Sequence, residues 1–366
     1  MTMYYRIRTY LAAIVASALL ALPASCSKEG PAAVDDAFRP IVLDALVATS
    51  PAESGTKTIT NPTDEDKSLL KAYSIFTSAY YTDPEFPTTS GNYFTGVKFC
   101  YDETKDGWLP APTPSAPDGL RIFWPLAGEG NGLDFLAVAT DTTKLDLRPK
   151  MIWAGQDDNF LHGERNVHGV KMYVPVSDND TEVLYAIATR QCSDKTSVQM
   201  TFQHTQCCLE FHISLQTNLD KLLRLDNIVV EDAYTSGECR IETHPSVSVN
   251  WNFEGTEAFS TVVPGIDADT PVVMPTTDAP TPIYNMVLPP QPRRDIVFNF
   301  RQLSSNDGAD DWESLSIKPT YTTSTDAAKW EAGKKYVFEV IIKLGEIIIV
   351  PSVADWNEGE DIVVPV

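Results

Sequence analysis

Cations are scarce in this chain of 366 residues: 28 Lys and Arg stand against 50 Asp and Glu, a formal net charge of −22. A polyphosphate partner is held by clustered cations that release its counterions. The shortage therefore excludes nucleic acid as a partner, and also a protein lying on an anionic membrane through its own side chains. Charged residues are only 21% of the chain while 26 Pro interrupt it, and no stretch longer than about three turns keeps a helical apolar period. What remains is β-sheet with many turns. Signatures of chemistry are missing too. There is no Gly-x-Ser-x-Gly elbow, no phosphate-binding loop and no His-Glu-x-x-His pair, the arrangements that activate a nucleophile, cradle a phosphate or hold catalytic zinc. No Cys-x-x-Cys pair marks a structural zinc site. The expectation is a non-enzyme with no cofactor and no metal.

What is present begins with an address. Arg6 and Arg8 precede an apolar run from Leu11 to Leu22, too short to span a bilayer comfortably and typical of a signal peptide over residues 1–25. The run ends in Leu22-Pro23-Ala24-Ser25-Cys26. Small residues before a Cys resemble a lipobox, in which Cys26 is acylated and becomes the first residue. The alternative is an ordinary signal followed by a chance Cys. Removing residues 1–25 deletes two Arg and no acid, which takes the charge from −22 to −24. Besides Cys26 there are Cys100, Cys192, Cys207, Cys208 and Cys239. Five is an odd number, so no complete disulfide framework is expected within one mature chain, and these read as small buried hydrophobes.

Residues 26–40 read as a polar tether. Ile41–Thr49 reads as a strand, Thr63–Asp66 as the cap of a short helix, and Tyr73–Tyr81 as a strand. Four Pro make Trp108–Gly119 a loop. Leu120–Leu126 and Leu133–Thr140, joined by a Gly-rich turn, form an expected hairpin. Val183–Thr189 follows, and the polar residues after it suggest a domain boundary, giving 41–192 and 197–366. In the second half Ser197–Leu215 reads as one continuous strand. Leu222–Tyr234, Ser246–Phe253, Val272–Met274, Ile283–Leu288, Ile296–Phe300 and Leu315–Lys318 come after it. The chain closes with Tyr336–Lys343, Glu346–Val350 and Ile362–Val366. The fold class expected is all-β, two tandem antiparallel β-sandwich domains.

Candidate sites are few. His162, Glu164 and His168 lie in one Gly-rich loop, but their spacing fits no known ligand frame, and a solvated loop is expected. His204 and His212 stand eight apart on one face of the expected strand, over 25 Å of extended chain, so they share a ligand only if the chain bends. Asn306–Asp311 could hold calcium but lacks the EF-hand ligand order. Trp108, Trp124, Trp251, Trp312 and Trp356 are core or turn anchors, or a sugar-binding row if exposed together.

The strand series resembles the fimbrillin-like (major and minor fimbrial subunit) lipoproteins of the type V pilus system. The resemblance rests on the Cys26 lipobox, Arg39–Leu43, Phe76–Tyr81, Phe123–Leu126 with Leu133–Ala137, Phe202–His204 with Leu209–Phe211, Trp330–Tyr336 and Asp355–Gly359, in that order. Pro23 in the lipobox and Thr205-Gln206-Cys207 after His204 depart from the family pattern. The resemblance implies transthyretin-like sandwiches, export to the outer membrane through a lipid on Cys26, and tryptic removal of the first strand, here Ile41–Thr49. Lys57 is the candidate cleavage residue. Arg39 is poorer because Pro40 follows it. A strand from another pilin subunit then refills the slot, with Ile347–Val366 as candidate donor, giving a head-to-tail filament that contributes to adhesion to host or bacterial surfaces. Two alternatives stay open. The chain is a non-polymerising cap, anchor or tip that keeps Ile41–Thr49, or it is a surface lipoprotein that binds glycans through exposed aromatics.

Overall fold

The computed structural model describes residues 39–47, 70–82, 92–115, 121–125, 132–141, 151–154, 168–174, 182–215, 223–243, 246–266, 272–273, 283–303, 312–318, 329–343 and 346–356. The signal peptide, Cys26, Lys57, the Thr63–Asp66 cap, His162, Glu164, Asn306–Asp311 and Ile362–Val366 lie outside the described residues. Nine strands make the first half: β1 (Leu43–Val47), β2 (Ser74–Tyr81), β3 (Asn92–Asp102), β4 (Gly107–Pro110), β5 (Gly132–Thr140), β6 (Met151–Trp153), β7 (Gly169–Val174), β8 (Val183–Gln191) and β9 (Val198–His204). The rest are β10 (Cys207–Leu215), β11 (Leu223–Ala233), β12 (Gly237–Glu242), β13 (Ser248–Asn252), β14 (Phe259–Val262), β15 (Val272–Val273), β16 (Ile283–Leu288), β17 (Gln291–Pro292), β18 (Ile296–Leu303), β19 (Trp312–Ile317), β20 (Lys329–Trp330), β21 (Lys334–Lys343) and β22 (Glu346–Asp355). The fold is all-β. Among the described residues no helix is long and apolar enough to cross a membrane.

Side-chain alternation sorts these strands into three cores. In β2 every residue is buried, because both faces are covered. Ile75 and Ala79 point into one core, and Phe76 and Tyr80 into another. β5 does the same, with Leu133, Phe135, Ala137 and Ala139 on one side and Leu136 and Val138 on the other. The first set fills a closed barrel of order β1-β4-β3-β2-β5-β8-β9. The second lies under a four-stranded sheet of order β13-β12-β7-β6, which contributes Val170, Met172, Cys239 and Ile241. The third core lies between sheet β16-β10-β21-β22 and the sheet containing β14, β11, β18 and β19. Alternate residues of β10 (Cys207, Leu209, Phe211, Ile213) meet Phe298, Phe300 and Phe338 there.

Four expectations are corrected. Ser197–Leu215 is not continuous: the chain leaves the barrel at Thr205-Gln206 and enters the third core. The inward residues of β9 are even-numbered (Val198, Met200, Phe202) and face the barrel, those of β10 are odd-numbered and face the third core, and the strand is interrupted at Thr205-Gln206 between them. The expected boundary between 192 and 197 is therefore only the β8–β9 connection, both of whose strands belong to the barrel. The hairpin β12–β13 also returns to the first half, where β12 pairs with β7. Residues 121–125, the described part of Leu120–Leu126, form no hairpin with Leu133–Thr140, because β5 is already paired on both edges by β2 and β8. Instead Phe123 makes an isolated bridge to Pro40. Finally, Trp108–Pro110, expected as loop, is the body of β4, antiparallel to β3. Of the four Pro that suggested a loop, only Pro110 lies in the strand, at its last position, where no ladder N–H is lost beyond it.

Gly96 shows what the barrel wall demands of one residue. It has φ +60°, in the left-handed region, and a Cβ built there would lie 2.8 Å from Trp153 Nε1. Its N–H donates to Ser78 Oγ at 2.8 Å, where the β2–β3 register shifts. Gly96→Val is expected to cost roughly 2–4 kcal/mol from strain and overpacking together, read as a lowered urea midpoint with unchanged slope.

Candidate functional site

The first described segment, residues 39–47, closes the barrel. On one side β1 runs parallel to β9, with Leu43 opposite Val198, Ala45 opposite Met200 and Val47 opposite Phe202. Val198 N donates to Val42 O at 2.9 Å, and Gln199 Nε2 to Asp44 Oδ2 at 2.7 Å. On the other side Ile41 N donates to Ile122 O at 2.8 Å and Trp124 N to Arg39 O at 3.0 Å. Beyond that point Leu43 meets Trp108 of β4 in antiparallel register. Gly107 makes this approach feasible, because a Cβ there would lie 2.8 Å from Val42 Cγ1 and 3.2 Å from the Leu43 carbonyl. The result is a slot one strand wide, walled by Ile122–Trp124 and β4 on one side and β9 on the other.

The contents of the slot are apolar and alternate. Ile41, Leu43 and Ala45 are fully buried and share the barrel core with Trp108, Trp124, Met200 and Phe202, and Val47 packs at its margin. Leu46, on the opposite face, is also buried. Each buried Ile or Leu stabilises by about 1.5–3 kcal/mol, so the segment contributes on the order of 5–10 kcal/mol, as much as a whole domain's net stability. The barrel is incomplete without a strand in this position.

At the crossover from barrel to third core, buried polar groups are tied together. Thr205 Oγ1 donates to Val183 O, and Val183 N donates to Gln206 Oε1, both at 2.8 Å. His204 Nδ1 lies 2.9 Å from Glu182 Oε2, while Tyr73 donates to the other carboxylate oxygen at 2.9 Å. Trp356, directly after β22, stacks on the His204 ring with centroids 3.8 Å apart and planes 6° apart, and its N–H donates to Gly333 O at 3.1 Å. The candidate donor segment is therefore, in its described part, the edge strand β22, antiparallel to β21 and clasped at its far end to the barrel.

The remaining sequence candidates fall away from chemistry. His168 is not in a solvated loop but buried, stacked on Tyr80 with centroids 4.3 Å apart, because its loop enters the covering sheet at β7. Among the described residues no three His, Cys, Asp or Glu side chains gather as a metal site. Trp108 and Trp124 are core residues. Trp251 is half-buried and donates from Nε1 to Thr205 O at 2.9 Å, and the Trp312 side chain lies outside the description. No exposed row of Trp forms among the described residues.

Cys100, Cys207, Cys208 and Cys239 are thiols outside any disulfide, the last three of them buried. Burial, reinforced by the charge of Glu210, pushes the Cys208 thiol up to about 12. Burial likewise holds Cys207 and Cys239 far above the usual thiol range. A group raised by folding contributes stability below its unfolded value, near 9, and that stability is lost as the pH climbs past it. The unfolding midpoint is expected to drop above about pH 9, by on the order of 1 kcal/mol per thiol per pH unit. Iodoacetamide at about pH 8 should leave these three thiols unmodified until denaturant is added. Their rapid alkylation in the native chain would contradict the packing.

No curated protein matches the chain in sequence. Among solved structures it is similar to a fimbrial protein from Bacteroides vulgatus, with 15% identity and a TM-score of 0.50 over 87% of this chain and 99% of that one. It is also similar to a fimbrial assembly protein from Parabacteroides distasonis, with 13% identity and a TM-score of 0.35 over 86% and 97%. A third is a fimbrial anchor protein from Porphyromonas gingivalis, with 9% identity and a TM-score of 0.31 over 87% and 98%. The first of these likenesses carries the fold alone. The sequence profile described as fimbrillin-like matches residues 74–356, which takes in the barrel strands from β2 onward, the crossover and β22 up to Trp356. On that span, the chain belongs to the fimbrillin-like family of fimbrial, cell-surface proteins.

Proposed function

We propose that the chain is a subunit or accessory pilin of a fimbrium, anchored in the outer membrane through a lipid on Cys26 and assembled by strand exchange. In this reading a trypsin-like protease cuts after Lys57, the segment carrying Ile41–Thr49 leaves, and a strand from a second subunit enters the vacated slot. One observation carries it. The strand that completes the barrel is its first, held by backbone pairing and alternate apolar side chains, which is how an incoming strand would also be held. A polar contact an incoming strand would have to match is that of Asp44 with Gln199. The domains remain a proposal in the same sense: a first body built on the barrel and a second, transthyretin-like sandwich around the third core.

Limited trypsin digestion followed by unboiled gel electrophoresis tests the assembly step. A ladder of detergent-resistant multimers, with Ile41–Thr49 absent from the mass spectrum of each rung, is the expected result. A monomer that retains the segment after complete cleavage at Lys57 counts against a polymerising role and leaves the accessory one. Metabolic labelling with fatty acid, abolished by Cys26→Ser, tests the anchor independently.

A further inference from the structure

Strands β11 and β18 send Leu225, Ile228, Phe298 and Phe300 into the third core, so their alternate residues stand on the outer face of that sheet. Two of these are Arg224 and Arg301, and they are register partners. Like charges directly opposite each other across a ladder repel, and cations are the scarce residues of this chain, 28 against 50 acids. One carboxylate touches both. Arg224 Nε donates to Asp226 Oδ1 at 3.0 Å, and Arg301 Nε donates to Asp226 Oδ2. Asp226 reaches the two because the ladder shifts between Leu225 and Asn227, a bulge that adds one residue to β11 and re-aims its side chain. The Asp226 side chain is only 10% exposed, between arginines that are 20% and 32% exposed.

The same face continues in neutral hydrogen-bonding groups. Ser314 of β19 is the register partner of Arg301 and is exposed. In the next row Asn227, Asn299 and Ser316 are partners across the same three strands. Asn299 Nδ2 donates to Asn227 Oδ1 and Ser316 Oγ donates to Asn299 Oδ1, both at 2.6 Å. With strands about 4.8 Å apart and about 3.3 Å per residue, the two rows make a polar platform of roughly 10 by 7 Å.

The geometry points to a binding site for the carboxylate of an acidic sugar at the end of a glycan, held by Arg224 and Arg301. A guanidinium bonded through Nε has four further N–H donors, in a planar fork that fits the two oxygens of a carboxylate. Anchoring on Asp226 orders both side chains before a ligand arrives, so little of their rotational freedom remains to be lost on binding. The amides and hydroxyls beside the pair suit the hydroxyls of a sugar ring. The net charge of −22 repels a densely charged polyanion, which leaves an isolated carboxylate on an otherwise neutral ligand. The site is independent of strand exchange, because β11, β18 and β19 take no part in the barrel.

The test uses the full chain and beads that carry one neutral oligosaccharide ended either by glucuronic acid or by glucose, which differ by the carboxylate. Retention should be roughly tenfold or more stronger on the glucuronic acid beads, and dissolved glucuronic acid should elute the chain. Arg301→Gln should remove the preference. Ser314→Glu is the second variant. It keeps all three of Arg224, Asp226 and Arg301 and sets a new carboxylate beside Arg301, so it should abolish retention while the urea midpoint stays unchanged. Equal retention on both kinds of bead overturns the site, as does undiminished retention of both variants. Capture of a glutamate-rich peptide as strong as that of the acidic glycan overturns the sugar assignment and makes the pair a contact for an acidic protein. A chain that binds the acidic sugar and forms no multimer ladder keeps this site and loses the polymerising reading.

Discussion

Deleting Arg39–Val47 from the full chain is expected to unfold the barrel while leaving the third core folded. The segment supplies one whole strand of a seven-stranded closed barrel and buries Ile41, Leu43, Ala45 and Leu46. Its loss removes on the order of 5–10 kcal/mol, which is the entire stability margin of an ordinary domain. It also leaves β9 and β4 as unpaired edges facing each other across an apolar groove, a form prone to aggregation. Urea unfolding should then lose its barrel transition and keep the transition of the sandwich around Phe211, Phe298 and Phe338. A peptide of Ile41–Val47 added in trans should restore the missing transition in proportion to its concentration, as linkage requires of anything that binds only the folded state. A single unchanged transition in the deleted chain would show that the slot closes on itself and that the first strand is dispensable.

Trp108→Ala should have the next largest effect, about 3–5 kcal/mol. Trp108 is fully buried, meets Tyr101 edge-on at 4.9 Å and faces Leu43 across the slot. The cavity left by its ring opens beneath the first strand itself. The loss should therefore appear both in the urea midpoint and in faster tryptic removal of residues up to Lys57. Trp330→Ala, an equally buried residue of the third core, is the matched control. It should lower stability by a similar amount without changing the rate at which the first strand is released. If both variants release the strand equally fast, the slot is coupled to global stability and not to its own wall.

The strand content was legible in the sequence wherever a face was strictly alternating, as in β10 with Leu209, Phe211 and Ile213 against Glu210 and His212. The first strand was legible too, since Ile41, Leu43, Ala45 and Val47 alternate with Asp44 between them. β3 was not legible. Its residues are almost all half-buried, Gly96 breaks its pairing with β2, and half-burial gives no apolar period to read. β7 carried a signal in Val170, Met172 and Val174 against Lys171 and Tyr173, over only six residues. What no local pattern contained was pairing between distant segments. That β12 returns to β7, or that residues 121–124 flank 39–41 instead of joining β5, depends on which faces remain uncovered after the barrel has closed. The break at Thr205-Gln206 was hidden by the unbroken run of strand-forming residues, because a switch from even to odd inward residues also occurs within one continuous strand that faces two cores, as in β2.

The stack of Trp356 on His204 also sets a kinetic condition. Strands β21 and β22 form a hairpin whose open end lies at Lys334 and Asp355, and any peeling of β22 has to start there. That end is fastened by the Trp356 N–H to Gly333 and by the indole to a ring of the barrel's own last strand, itself beside Glu182. Unfastening it is a separate event that precedes the loss of the first ladder bond, so its barrier governs the lifetime of the edge strand. Because His204 belongs to β9, the strand that also cradles Leu43, Ala45 and Val47, that lifetime depends on how β9 is held. A chain with its first strand in place is therefore expected to retain its last strand longer than one from which residues 39–47 have been deleted.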